Sequence, residues 1–121
     1  PYCERWMARD EGLWHPTMDV YTRKDEVVVE LEIPGMKSED VDITVEENHL
    51  IVEGTLKRTN EFTDKEKCYC ERTYGKFHRV VHLPTNVDDT RVKASFDKGI
   101  LTIRLPKKER ESGKKIKIEA A

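Results

Sequence analysis

The chain has 121 residues, and 22 Lys+Arg set against 24 Asp+Glu leave a formal net charge of -2. That length suits one hydrophobic core, and the charge balance argues against a nucleic-acid or membrane-surface partner, either of which selects a basic face. No apolar run approaches the roughly 20 residues of a membrane helix, no secretory leader is evident, and three cysteines are not a disulfide framework, so a cytoplasmic chain with reduced thiols is expected.

Residues 1–16, PYCERWMARDEGLWHP, hold both tryptophans, Trp6 and Trp14, among charges with no clean period, and read as a short, partly ordered arm. From Met18 the pattern turns to period two. In EVVVELEIPG, Val27, Val29, Leu31 and Ile33 share one face while Glu30 and Glu32 share the other, and Pro34-Gly35 ends the strand. Val41, Ile43 and Val45 then oppose Asp42, Thr44 and Glu46. A short polar turn at Glu47-Asn48 leads into NHLIVEGTL, with Leu50 and Val52 on one face, which predicts a hairpin. Ser38 could cap a brief helical turn ahead of Glu39 and Asp40.

Lys57 to Lys67 form a long polar insertion between strong strands, followed by CYCERTY. Long loops in compact domains carry function or are disordered. A strand at the far end of a charged loop has the geometry to reach another subunit's sheet edge, as in a domain swap. Next come KFHRVVHLP, RVKASF and ILTIRLP, with DKG supplying Gly99 for a three-residue hairpin between the last two. Eight short strands and no convincing helix predict an all-β antiparallel sandwich over residues 17–106. Residues 107–121 form a charged extension in which Ile116 and Ile118 have no other large apolar residue beside them.

Catalytic machinery is missing from the pattern. Ser38, Ser95 and Ser112 lie outside any nucleophile-elbow setting. Cys68 and Cys70, two apart in a predicted strand, point to opposite faces, a poor geometry for a shared metal or disulfide. His15, His49, His78 and His82 are scattered; His78 and His82 fall on the outer face of one strand and read as a surface pair rather than a zinc site. The six glycines are isolated, so nothing supports nucleotide binding. No cofactor, metal or enzymatic activity is expected. Arg79 is the unusual charge, because it shares the apolar face of Phe77, Val81 and Leu83. Either it snorkels to the rim of the sheet or it forms an ion pair at a subunit interface, with Glu71 a candidate partner; the second reading is favoured.

Together LWHPTMDVY, VELEIPGMKSEDVDITVEENHLIVEGTLK, CERTYGKFHRVVHLP, ASFDKGILTIRLPKK and the terminal Ile116-Lys117-Ile118 resemble the alpha-crystallin domain of small heat-shock proteins, over about residues 14–118. The likeness is to the prokaryotic and plant branch, where a long loop carries an exchanged strand. It implies an immunoglobulin-like sandwich and a non-enzymatic, ATP-independent holdase that binds partly unfolded clients. It implies that Ile116 and Ile118 add as a short strand to a groove on a neighbouring subunit, lined by Ile43, Val45, Val92 and Ala94, building a larger homo-oligomer. It also implies that Cys68, Tyr69, Cys70, Glu71, Arg72 and Arg79 belong to a dimer interface. Trp6 and Trp14 would serve as client-binding anchors in the arm. The competing readings are a scaffold adaptor or co-chaperone on a related sandwich and, last, an enzyme or metal protein.

Overall fold

The computed structural model describes residues 14–58, 63, 65–67, 69–108 and 116–120. Seven strands make up its regular structure: β1 (Met18–Thr22), β2 (Glu26–Glu32), β3 (Val41–Glu46), β4 (His49–Leu56), β5 (Gly75–His82), β6 (Lys93–Asp97) and β7 (Ile100–Pro106). They pair antiparallel in two sheets, one of four strands in the order β1-β2-β7-β6 and one of three in the order β3-β4-β5. The period-two pattern dictates what lies between the sheets. Val27, Val29, Leu31 and Ile33 from the first meet Leu50, Val52, Phe77 and Val81 from the second in one core.

The β3–β4 hairpin forms where the sequence places it. Glu46 pairs with His49, and both turn residues, Glu47 and Asn48, have positive φ, as a two-residue turn matched to the strand twist requires. The β6–β7 turn corrects the three-residue expectation. Asp97 pairs with Ile100, so the turn is Lys98-Gly99 alone, again with both φ values positive. Lys98 bears the left-handed strain, and Gly99 lets the backbone come close to Pro34 while its carbonyl accepts from the Ile33 N–H at 2.9 Å.

Three further expectations change. The segment CYCERTY is not a strand of either sheet in the single chain: residues 69–74 are irregular, and Cys68 lies outside the described residues. The turn at Ser38–Asp40 is a single 3-10 turn capped from Lys37, not Ser38, with the Asp40 carboxylate accepting from the Lys37 N–H at 3.3 Å. Val28 points to the outer face of the four-stranded sheet yet is fully buried. Its cross-strand neighbours are Tyr21 and Arg104. Tyr21 donates to Glu30 at 2.9 Å and Arg104 pairs with Glu26 at 2.7 Å, which holds both long side chains against the sheet as a lid.

The two sheets stack in a definite order. Just ahead of β1, the Trp14 N–H donates to the Lys76 carbonyl at 3.0 Å and the Trp14 ring meets Phe77 edge-on at 5.4 Å. Pro16 accepts a hydrogen bond from Arg79. These contacts fix β5 beneath the β1 edge, so β3, at the opposite end of its sheet, lies on the β6 side.

Candidate functional site

On that side the sandwich is open. β3 presents Val41, Ile43 and Val45 inward, yet all three are only half-buried, because an edge strand is covered on one flank alone. Across from them, Ala94 pairs with Ile103 and Phe96 with Leu101. Both partners are core residues, so Ala94 and Phe96 also face inward. Phe96 is half-buried, and Ala94 is exposed despite its inward orientation. An inward-facing residue that water still reaches marks a gap between the sheets. Val92, half-buried just before β6, completes this wall.

The structure therefore brings Ile43, Val45, Val92 and Ala94 to one open edge. It adds Val41 and Phe96, which the sequence reading missed. Their signal was available: Val41 has the parity of Ile43 and Val45, and Phe96 that of Val92 and Ala94, so the period-two rule selects them equally. What this edge offers is a binding surface rather than catalytic groups. Two edge strands supply unpaired backbone N–H and C=O groups, and apolar side chains lie between them, a combination suited to an added strand with alternating apolar residues.

Ile116 and Ile118 carry such an alternation, and in the single chain they are 86% and 92% exposed. Large aliphatic residues at that exposure are costly, at about 25 cal/mol per Å² of apolar surface left in water. The remaining site residues scatter. Tyr69 is 71% exposed; Cys70 is half-buried, and Glu71 and Arg72 are exposed, with the Arg72 guanidinium 5.2 Å from the Tyr74 ring. Arg79 is half-buried on the core-facing side of β5, opposite Val52, and its Nη1 donates to the Pro16 carbonyl at 3.5 Å. Within the chain it is thus tied to backbone rather than to Glu71. Trp14 is docked on β5 rather than standing free, and Trp6 lies outside the described residues.

Among the described residues no group of three or more His, Cys, Asp or Glu is placed to hold a metal ion, and no helix is long and apolar enough to cross a membrane. Among the described residues the one clear pKa displacement lies outside the groove. Side-chain and backbone hydrogen bonds from Thr90 hold the Asp88 carboxyl below its ordinary value of 3.8.

Comparison with known proteins agrees with this geometry. The chain is 36% identical over 116 residues to heat shock protein 16 of Schizosaccharomyces pombe, an alignment covering 94% of this chain and 81% of that protein. It is 39% identical over 103 residues to small heat shock protein C4 of Rickettsia felis, covering 85% of this chain but only 63% of the longer relative. The solved structure of the fission-yeast heat shock protein 16.0 superimposes with a TM-score of 0.72 at 36% identity, over 88% of this chain and 99% of that one. A small heat-shock protein from Xylella fastidiosa gives 0.73 at 26% identity, over 88% and 98%. A sandwich with one open, apolar edge, relatives among small heat-shock proteins, for which a chaperone role is implied, and a family match over residues 19–119 lead to one assignment: the chain belongs to the Hsp20/alpha crystallin family.

Proposed function

We propose that this chain is an ATP-independent holdase that captures partly unfolded proteins and keeps them from aggregating, and that it works in the cytoplasm as an oligomer built from dimers. The observation that carries the reading is the coexistence, on one chain, of an open apolar edge between β3 and β6 and two isoleucines at 86% and 92% exposure. A tail strand from a neighbouring subunit would lie between Ile43 and Val45 on one side and Val92, Ala94 and Phe96 on the other. Full burial of two isoleucines is worth on the order of 3–6 kcal/mol before ordering costs. Each contact is then reversible, and many together hold an assembly. When tails leave, the same apolar edge is free for an exposed client segment, and no bond-making chemistry is required.

In this reading residues 17–106 are the folded domain, 1–16 a client-binding arm with Trp6 and Trp14, and 107–121 the linking extension. The dimer would form through the loop strand of Cys68, Tyr69, Cys70, Glu71 and Arg72 together with Arg79. Of the four sheet edges, Trp14 covers part of β5, while β3 and β6 bound the groove. β1 is left as the acceptor, and its inward-facing Val20 is 41% exposed.

The test is a heat-labile protein warmed with and without the chain, in the absence of ATP, while turbidity is followed. Suppression at equimolar chain supports the holdase; unchanged aggregation at equimolar or higher chain would refute it.

A further inference from the structure

The outer face of the three-stranded sheet holds a feature unrelated to the groove. The β4–β5 register sets His49 directly opposite His82, and the two ring centroids are 4.2 Å apart with an interplanar angle of 63°. The rings therefore meet in one cross-strand pair, the closest side-chain juxtaposition an antiparallel ladder provides.

Two details make the pair more than a packing contact. His49 Nδ1 lies 2.9 Å from the Glu47 carbonyl oxygen. A carbonyl only accepts, so Nδ1 carries the proton in this contact. The neutral ring then presents the bare lone pair of Nε2, the state in which an orienting backbone bond holds a metal-ligating imidazole. His82 is exposed and has no hydrogen-bond partner among the described residues, so its ring can turn about χ2 to aim a nitrogen at the same point. The frame beneath is fixed. The Leu83 N–H donates to the Asn48 carbonyl at 2.9 Å, and the Asn48 amide donates to Asn86 Oδ1 at 2.6 Å, so the turn before His49 is tied to the loop after His82.

Ring spacing selects the class of ion. With metal–nitrogen bonds of about 2.0–2.1 Å, each centroid stands roughly 3.2 Å from the metal, so cis ligands at a right angle put the centroids about 4.5 Å apart and tetrahedral ligands about 5.2 Å. The observed separation is near the first value. We propose that His49 and His82 form a two-imidazole chelate for a divalent ion with cis right-angle sites, of the Ni(II) or Cu(II) class, water completing its coordination. Since no third ligand joins them among the described residues, the bound ion keeps open positions and exchanges readily.

Ni(II), which does not oxidise thiols, is the probe. Titrated calorimetrically into the full chain at neutral pH, it binds one site per chain; His49→Gln and His82→Gln each weaken binding about tenfold or more, and His78→Gln leaves it unchanged. In the unsubstituted protein, Ni(II) shields His49 and His82, but not His78, from diethyl pyrocarbonate, as read by mass spectrometry. No Ni(II) binding by the parent, affinity retained in both Gln variants, or equal modification of all three histidines would overturn the site. The metal-free unfolding midpoints of the Gln variants report whether the fold is intact, and the shielding result decides in either case.

Discussion

Arg79 on β5 reaches back to the carbonyl of Pro16, 63 residues earlier in the chain, and donates to it at 3.5 Å. A half-buried guanidinium on an apolar face needs an acceptor, and within one chain the nearest is backbone. This hydrogen bond, the Trp14 N–H to Lys76 carbonyl bond and the Trp14–Phe77 ring contact together dock the segment before β1. Arg79→Ala should therefore loosen residues 14–17 without opening the sandwich, at a cost of about 1 kcal/mol. In a Trp6→Phe background the emission of Trp14 reports the change: a red shift with unaltered far-ultraviolet dichroism is expected. Emission identical to the parent would show that Trp14 docks without the arginine.

Gly54 lies on the core side of β4 opposite Phe77. A Cβ there would stand 2.7 Å from Phe77 Cε1, 2.8 Å from the Asp40 carbonyl oxygen and 3.0 Å from Met36 Cε. The ring and the thioether can shift, but the carbonyl belongs to the 3-10 turn that feeds β3. Gly54→Ala should destabilise by roughly 1–3 kcal/mol, the usual cost of overpacking, and displace the β3 edge of the groove. Parental stability in denaturant would mean that residues 38–40 yield freely.

Asp88 caps the short turn Asp89–Arg91, accepting from the Thr90 N–H at 3.1 Å and the Thr90 hydroxyl at 2.6 Å. These bonds favour the carboxylate, so its folded pKa lies below the unfolded value. The sign follows from linkage: the contribution is present above the unfolded pKa and is lost as pH falls through the lower, folded one. Asp88→Asn keeps an acceptor oxygen but cannot ionise. Denaturation curves of parent and variant should be separated near neutrality and draw together in acid below about pH 4. A gap that stays constant with pH would assign the effect to packing instead.

Period two and turn chemistry were enough to place most of the sandwich. Alternation in Val27–Ile33 and Val41–Val45 gave the faces, and Glu47-Asn48 the hairpin. Burial of Val28 was not legible, because it depends on Tyr21 and Arg104, which only strand pairing brings beside it. The Lys98-Gly99 turn was misjudged by one residue, since Asp97 suits a turn as well as a strand end. The groove residues on both walls came from the resemblance to the alpha-crystallin domain; parity alone places Ile43 and Val45 on one face, and that the two walls face each other follows from sheet order, which alternation does not encode. CYCERTY has strand composition, yet its described residues, 69–74, join neither sheet, and the proposed exchange would pair them with a second molecule.

That exchange can be tested by shortening the loop. Deleting Asn60 to Cys70 and closing the gap with a short turn leaves every core residue among the described ones in place. If the loop strand bridges two subunits, the variant should be a folded monomer with near-parental thermal stability at low concentration. Light scattering coupled to size exclusion gives the mass directly. A deletion variant that dimerises at the parent's concentration would rule out strand exchange through this loop.

The tail offers the sharpest separation of the two proposed levels of assembly. Ile116 and Ile118 are exposed at 86% and 92% in the isolated chain, whereas Val45 and Phe96 at the open edge are only half covered by their own core. Replacing both isoleucines by Gly removes the two apolar anchors and raises the entropy lost when the segment is ordered. Dimers should persist while larger assemblies dissociate. Val45→Glu should give the same elution profile from the groove side, because an arriving isoleucine would meet an unpaired carboxylate there. If the proposed contact forms, the two variants alter its two ends, so combining them should add little to either alone. Assemblies of parental mass in the Ile116→Gly, Ile118→Gly chain would show that the tail only solubilises, and dissociation to monomers would show that it holds the dimer as well.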